Sequence, residues 1–279
     1  MLRHWIEKNH ITLFREVKGK LIKVKWLKKA IRKLFDIFLV AYPGTPPITT
    51  LAIEINEACN RKCAWCPNSE NSRKNNFLDE DVFYKIIDQM VKMKFIGRVT
   101  FNQYNEPLLD KRLPKFIRYI RQNLPSSYIY INTNGDFMNF ELWNLLRKEG
   151  LDYANISQYD GKINQNIEKV LECLDNEEKK HFGVNIFDIS KINNRAGLVN
   201  TATELPLEKF CFRPFSQLSV TYEGKVVLCC NDYFGHVEVG DVRTTPIKEI
   251  WENEIFTRYR KELKKGNRAD LELCKTCDA

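Results

Sequence analysis

The chain lacks features that would place it in several common classes of protein. No apolar run reaches the roughly 18 residues that a membrane-spanning helix needs, and no apolar core typical of a signal peptide is found. Histidine is scarce, at four residues in 279. These absences argue against a membrane-spanning protein and against a secreted disulfide scaffold, although the chain has nine cysteines. Because clustered cysteines suit metals in a reducing compartment, we expect a cytoplasmic protein.

The excess of positive charge is confined to the N-terminal segment. Residues 1–40 contain 11 Lys and Arg against 3 Asp and Glu, which accounts for the whole net charge of +8. Apolar residues recur there at helical spacing with basic residues on the other face, which predicts a basic amphipathic helix. Such a helix packs on the rest of the protein, contacts an anionic membrane surface or docks a partner. Lysines interleaved with stacking aromatics do not recur elsewhere in the chain, so we expect no nucleic-acid binding.

A loop with three cysteines follows a β-branched run. Cys59, Cys63 and Cys66 form the string CNRKCAWC, which is separated by three residues from the run of residues 49–55. Three thiolates can hold three irons of a 4Fe-4S cube and leave the fourth iron open, whereas electron-transfer clusters usually take four protein ligands. Zinc is the alternative, but zinc sites favour C-x2-C pairs, and no histidine lies near this loop.

The CxxxCxxC spacing resembles that of the radical S-adenosylmethionine (SAM) superfamily. In that family the open iron chelates the amino and carboxylate groups of SAM, and one electron from the cluster splits SAM to a 5′-deoxyadenosyl radical that abstracts a hydrogen atom. The resemblance implies a 4Fe-4S cluster and SAM as cofactors, and a reducing electron donor such as flavodoxin or ferredoxin. An aromatic residue before the third cysteine is usual in the family, with its backbone near the adenine. Here that residue is Trp65.

Strands and helices alternate from Thr49 onward, which is the pattern of a parallel sheet wrapped by helices. We therefore expect an α/β fold, with a partial barrel of about five to six parallel strands. Active sites on such barrels gather at the carboxyl ends of the strands. The predicted organisation is an N-terminal helix and linker over residues 1–48, the partial barrel over residues 49–205, and a small hairpin-plus-helix subdomain over residues 206–279.

Polar residues at the predicted strand ends match the family's SAM-binding pattern in part. After the second strand the family usually has Gly-Gly-Glu, whereas this chain has YNEP, which keeps Glu106 and loses both glycines. The resemblance implies that Glu106 accepts a hydrogen bond from the SAM amino group. Other strand-end residues, which equally suit turns, are implied as further SAM contacts: Asn132, Thr133, Asn134, Ser157 and Arg195.

A second set of cysteines lies in the last third of the chain. Cys211 precedes a predicted hairpin, Cys229 ends it, and Cys274 and Cys277 form a C-x2-C pair. Four thiolates satisfy a whole 4Fe-4S cube, and on ligand type alone they equally suit zinc. The segment resembles the twitch subdomain, which is the shortened SPASM extension of radical SAM enzymes. That resemblance implies an auxiliary 4Fe-4S cluster.

Two cysteines remain, and one of them is a catalytic candidate. Cys173 is predicted to be a buried helix residue. Cys230 directly follows the ligand Cys229, and its thiol can donate a hydrogen atom to a substrate radical, as in the radical SAM epimerases that this chain resembles. In the alternative assignment Cys230 is the ligand and Cys229 is the spare thiol. Tyr104 and Arg195 are the other catalytic candidates, and Arg195 pairs with SAM or with the substrate.

Four functions are consistent with these motifs. We expect epimerisation of a sugar or aminocyclitol carbon, with Cys230 as the hydrogen donor. The second function is oxidation of a secondary alcohol, because the second cysteine spacing also resembles that of aminocyclitol-pathway dehydrogenases, whose auxiliary cluster takes the electron. The third is peptide modification, in which the basic helix engages an acidic leader peptide. The fourth is a metal-stapled binding protein without catalysis.

Overall fold

The computed structural model describes residues 41–71, 73–200 and 206–279, together with Leu34 and Ile37. The chain divides into two compact units, Met1–Pro47 and Ile48–Ala279. The predicted basic helix within residues 1–40 lies, apart from those two positions, outside the described residues. In the part of the chain that is described, no helix combines the length and apolar character needed to cross a bilayer.

One eight-stranded sheet forms the framework of the second unit. In chain order its strands are β1 Thr50–Ile53, β2 Arg98–Thr100, β3 Tyr128–Thr133, β4 Tyr153–Gln158, β5 Phe182–Ile186, β6 Gln217–Val220, β7 Lys225–Val227 and β8 Glu238–Asp241. The strand order is β5-β4-β3-β2-β1-β6-β7-β8. The pairings from β5 across to β6 are parallel, and those of β7 and β8 are antiparallel. The predicted α/β fold with about five to six parallel strands is confirmed, and the described part of the structure has six.

Among the described residues, five helices precede strands of this sheet, and two follow the last strand. They are α1 Glu80–Lys92, α2 Leu113–Asn123, α3 Phe140–Glu149, α4 Gln165–Cys173, α5 Arg213–Ser216, α6 Ile247–Glu252 and α7 Glu254–Lys265. Short 3-10 turns lie at Pro67–Ser69, Pro107–Leu109, Glu178–Lys180 and Ile189–Lys191.

Capping residues explain where α1 begins and where α3 ends, and one aromatic pair explains how α1 packs on α2. Helix α1 begins after Asp79, whose carboxylate accepts the backbone N–H of Asp81 at 2.8 Å. Helix α3 ends at Gly150, which takes the left-handed conformation with φ 111°. The buried rings of Phe83 on α1 and Phe116 on α2 stack with centroids 4.0 Å apart, so the two helices pack side by side.

Three local predictions are wrong or incomplete. Cys173, predicted to be buried, is exposed, because it ends α4 away from the face that buries Ile167 and Val170. The helix predicted around residues 247–263 is two helices, since the Asn253 side chain accepts the N–H of Phe256 at 3.0 Å and begins α7. The predicted hairpin gains β8 as a third strand, and its first strand, β6, pairs in parallel with β1.

Candidate active site

The loop that carries the first three cysteines leaves the carboxyl end of β1. The backbone N–H of Cys66 donates to the carbonyl of Cys63 at 2.9 Å, so the C-x2-C half of the motif is a tight turn. Burial, followed by the neighbouring thiols of Cys66 and Cys59, raises the pKa of Cys63 to about 11. The three thiols therefore share one space, as a three-cysteine cluster site requires.

Arg61 ties this loop to the ends of two other strands. Its guanidinium donates to both carboxylate oxygens of Asp136, at 2.7 and 2.6 Å, and to Asp160 at 3.0 Å. Asn60 adds a hydrogen bond of 2.7 Å to Asp136. Asp136 follows β3 and Asp160 follows β4, so the cysteine loop is fixed over the carboxyl edge of the sheet. These residues do not appear among the predicted site residues.

Glu106 lies beneath the cysteine loop and is almost fully buried. Its Oε1 accepts the hydroxyl of Thr133 at 2.6 Å and the N–H of Leu108 at 3.0 Å, and its Oε2 accepts the N–H of Asn134 at 2.8 Å. Burial raises the pKa of Glu106 to about 7. A carboxylate has about four acceptor positions, so one position on Oε2 stays open for a cationic donor such as the SAM amino group.

Trp65 belongs to an aromatic cluster at the ends of β4 and β5. Its ring stacks on Phe187 with centroids 4.7 Å apart and contacts Tyr159 at 5.9 Å. Phe187 and Tyr159 in turn meet edge to face at 5.1 Å. The side chain of Trp65 thus anchors the cysteine loop, which leaves its backbone for the contact with adenine that the family resemblance implies.

The predicted SAM contacts divide between two faces of the sheet. Thr133 and Asn134 meet Glu106, whereas Asn132 points to the opposite face, because successive strand residues alternate. There the Oδ1 of Asn132 accepts hydrogen bonds from Tyr130 at 2.6 Å and from Asn155 at 3.0 Å. Ser157 shares that face with Asn155, since they are two residues apart on β4. The structure therefore brings Glu106, Thr133 and Asn134 into direct contact and places Asn132 and Ser157 on the other face, where the Ser157 side chain hydrogen-bonds Tyr159.

The second set of cysteines is largely buried. Cys229, Cys274 and Cys277 are buried, and Cys211 and Cys230 are intermediate. Burial raises the pKa of Cys274 to about 12 and that of Cys229 well above its ordinary value. Thiols in such a place stay neutral unless a metal takes the thiolate. The deeper burial of Cys229 favours it over Cys230 as the ligand.

Positive and hydrogen-bonding groups surround these thiols. The pKa of Arg213 is raised: burial opposes the shift, but Cys230, Cys229 and two further cysteine sulfurs outweigh it. Asn231 donates its backbone N–H to the sulfur of Cys229 at 3.4 Å and its side-chain amide to that of Cys277 at 3.7 Å. This environment offsets the negative charge of metal-bound thiolates, so the residues present fit an iron-sulfur cluster.

Tyr104 occupies the space between the two cysteine sets. Burial raises its pKa well above the ordinary value of 10, and its hydroxyl interacts electrostatically with Arg195, Cys230, Cys229 and Cys66. The ring is held edge to face on Tyr233 at 4.8 Å. The hydroxyl is buried and has no hydrogen-bond partner among the described residues. A polar group placed beside this hydroxyl would supply its missing partner.

Arg195 lies on a strained loop near Tyr104. Arg195 and Ala196 both have positive φ, at 52° and 57°, a conformation that costs energy for residues other than glycine. The loop is held to the terminal cysteine pair: Asn194 donates its side-chain amide to the carbonyl of Thr276 at 2.7 Å, and the Thr276 hydroxyl donates to Ala196 at 2.9 Å. The Nε of Arg195 is buried with no partner among the described residues.

Two family models match the chain, one from the end of β1 through β5 and one over the C-terminal segment with the second set of cysteines. The model of the radical SAM superfamily matches residues 53–187, and the SPASM model of an iron-sulfur cluster-binding domain matches residues 211–278. The second match decides between the two metals considered for Cys211, Cys229, Cys274 and Cys277, because it assigns an iron-sulfur cluster to that segment and not zinc.

Individual relatives extend over most of the chain. An S-adenosyl-L-methionine-dependent 2-deoxy-scyllo-inosamine dehydrogenase of Niallia circulans is 30% identical over 82% of this chain and 92% of its own length. The crystal structure of BtrN in complex with AdoMet and 2-DOIA is 30% identical, covers 84% of this chain and 94% of that chain, and superposes with a TM-score of 0.77. BtrN in an open conformation is 27% identical, covers 84% of this chain and 93% of that chain, and has a TM-score of 0.67.

Proposed function

The chain belongs to the radical SAM superfamily, with SAM and 4Fe-4S clusters as its cofactors. From this premise we propose that it is a dehydrogenase that oxidises a hydroxyl-bearing carbon of a cyclitol or aminocyclitol. The observation that carries the proposal is the 30% identity, across 82% of the chain, to a 2-deoxy-scyllo-inosamine dehydrogenase. This relationship favours oxidation over the epimerisation expected from Cys230.

The reaction removes two hydrogens from the substrate. When bound, SAM and the clusters supply the one-electron steps, which take a hydrogen atom from the substrate carbon and accept one further electron. The hydroxyl on that carbon also releases its proton, so that a C=O double bond forms. The residues of the chain therefore have two tasks: to hold the substrate carbon between the two cysteine sets and to stabilise its oxygen as the proton leaves.

Arg195 is suited to the second task. A guanidinium is a permanent cation with several N–H donors and no acceptor, so Arg195 stabilises the oxygen but does not take its proton. A fixed cation beside an oxygen that gains negative charge acts most strongly where water is excluded. The buried Nε of Arg195 has no partner among the described residues, so its donor can be directed at the substrate.

Tyr104 is suited to the first task. Its raised pKa keeps the hydroxyl neutral at physiological pH, and a neutral phenol both donates and accepts a hydrogen bond. The backbone of Tyr104 is held at both ends, because its N–H donates to Glu54 at 3.2 Å and its carbonyl accepts the amide of Asn68 at 2.6 Å. A hydroxyl fixed in this way can orient a polyol without moving on binding.

Epimerisation is the second candidate function, and one observation supports it. Cys230 is partly exposed, and its thiol lies close enough to interact electrostatically with the hydroxyl of Tyr104. A hydrogen donor for a substrate radical needs such a position. Peptide modification, the electron donor and the membrane contact of residues 1–40 remain predictions.

The substrate class can be tested by isotope transfer. Reduced holoenzyme is incubated anaerobically with SAM and an aminocyclitol such as 2-deoxy-scyllo-inosamine that carries deuterium on the hydroxyl-bearing carbon. A dehydrogenase should move the deuterium into 5′-deoxyadenosine and yield a ketone. Absence of a ketone across a panel of cyclitols and aminocyclitols would contradict the proposed substrate class. Tyr104→Phe and Arg195→Lys should weaken turnover while the iron content is retained.

A further inference from the structure

Asn231 donates hydrogen bonds to two cysteine sulfurs, one from its backbone N–H and one from its side-chain amide. Among the described residues, no other is seen to bond two cysteine sulfurs. We propose that Asn231 raises the reduction potential of the auxiliary cluster by donating both bonds to ligand sulfurs. The purpose of this adjustment rests on the proposed dehydrogenase function, in which that cluster accepts the substrate's electron.

The geometry of the two bonds is specific. The backbone N–H of Asn231 lies 3.4 Å from the sulfur of Cys229, and Nδ2 lies 3.7 Å from the sulfur of Cys277. These two cysteines are 48 positions apart in the sequence, so one residue reaches across the site and joins its two halves. Asn231 has no solvent exposure, so water does not compete for either donor.

The turn that presents Asn231 is itself fixed. The next residue, Asp232, is buried, and its carboxylate accepts the backbone N–H groups of His236 at 2.9 Å and Val237 at 2.8 Å. The backbone N–H of Asp232 donates to the carbonyl of Cys229 at 3.1 Å. The backbone donor of Asn231 is therefore held in place before a cluster binds, and the buried position of the residue confines its side-chain donor.

Hydrogen bonds to sulfur are among the factors that set the potentials of iron-sulfur clusters. A donor near a thiolate stabilises negative charge, and the reduced cluster carries one more negative charge than the oxidised cluster. The donor therefore stabilises the reduced state more, and the effect is larger where the local dielectric constant is low. Both bonds of Asn231 act in this direction, which favours uptake of an electron by the auxiliary cluster.

The test measures the potential without any substrate, so it can fail separately from the proposed function. The full chain with Cys59, Cys63 and Cys66 changed to Ala leaves the auxiliary cluster as the source of the EPR signal. In that background Asn231→Leu keeps the backbone donor and removes the side-chain donor. We expect about a tenfold fall in the equilibrium constant for one-electron reduction, which corresponds to a midpoint about 59 mV lower. Asn267→Ala, which removes an amide that bonds Glu262, should leave the midpoint unchanged.

A second measurement covers the case in which Asn231→Leu fails to assemble the cluster. Protein with Asn231 intact is labelled with ¹⁵N-asparagine, and pulsed EPR of the reduced auxiliary cluster should show hyperfine coupling to ¹⁵N. Absence of that coupling would overturn the proposal. So would an unchanged midpoint in Asn231→Leu with a full complement of iron, or an equal shift in Asn267→Ala.

Discussion

The backbone N–H of Asn194 donates to Oδ1 of Asp278 at 2.7 Å, and the backbone N–H of Asp278 donates to Oδ1 of Asn194 at 3.2 Å. This reciprocal pair joins the residue before Arg195 to the residue after Cys277. The loop that offers Arg195 to the substrate space is thus anchored on the segment that holds the auxiliary cluster. The position of Arg195 consequently depends on that segment as well as on its own loop.

Breaking this anchor should impair substrate binding more than cluster assembly. Asn194→Ala removes the part-buried hydrogen bonds to the Thr276 carbonyl and the Asp278 N–H, each of which stabilises the loop by about 1 kcal/mol. Because the strained loop then relaxes, we expect kcat/KM to fall about tenfold, mainly through KM. Iron content and uncoupled SAM cleavage should stay near those of the unchanged protein. A loss of iron equal to the loss of activity would contradict this role.

Arg61 should govern how firmly the first cluster is retained. Arg61→Lys keeps the charge but loses the fork that bonds Asp136 and Asp160 together. We expect a chelator to remove iron from the first site several-fold faster, because the loop detaches from the ends of β3 and β4 more often. Lys162→Ala, an exposed change two residues from Asp160, is the control. Equal rates in Arg61→Lys and the unchanged protein would show that the fork is dispensable.

The pKa of Glu106 predicts a pH dependence of stability in the cluster-free protein. Burial raises that pKa from 4.5 to about 7, so between these values the folded state binds a proton that the unfolded state has lost. The stabilisation is present below pH 4.5 and is lost as the pH rises through about 7. Glu106→Gln should flatten this part of the decline in urea unfolding between pH 5 and pH 8.

Glu80 provides the matched control for that experiment. Its hydrogen bond with Lys115 lowers its pKa, so it titrates below the window, and Glu80→Gln should leave the slope between pH 5 and pH 8 unchanged. An identical slope in Glu106→Gln and the unchanged protein would mean that Glu106 is already ionised at pH 5.

Iron analysis tests the two cysteine sets. Anaerobically reconstituted protein should hold about eight irons, since each set completes one cube. Changing Cys59, Cys63 and Cys66 to Ala should leave about four irons and abolish SAM cleavage. Retention of all the iron in that variant would show that the cysteines of the first loop hold none of it.

The fold could be predicted from the sequence because its signals are local. β-Branched runs predict the strands, and Asp79 and Gly150 predict helix ends through contacts within a few residues. The prediction that Cys173 is buried is wrong because it also rests on a local signal. Apolar neighbours in the sequence do not show which side of α4 is covered by the rest of the protein. The break between α6 and α7 does have a local signal, because Asn253 is a typical N-cap residue three positions before Phe256. The prediction of one continuous helix over residues 247–263 overlooks it.

The site was predictable only as far as motif spacing reaches. Thr133 ends a strand, Glu106 and Asn134 follow strands, and the three side chains or backbones meet. The pairing of Arg61 with Asp136 spans 75 positions and has no counterpart in local pattern. Asn132 and Thr133 lie on opposite faces because neighbouring residues of a strand alternate. This could be predicted only if β3 were known to extend to Thr133. The two sulfur contacts of Asn231 require the relative placement of segments that a single sequence does not give.

The central claim is oxidation of a hydroxyl-bearing carbon, and turnover in deuterium oxide tests it most directly. Anaerobic reactions of the unchanged protein and Cys230→Ala with an aminocyclitol are scored by product mass. We predict a product that has lost two hydrogens in both proteins, because the electron leaves through the cluster and no donor thiol takes part. A product that gains one non-exchangeable deuterium, and that disappears in Cys230→Ala while both clusters remain, would contradict oxidation and establish epimerisation.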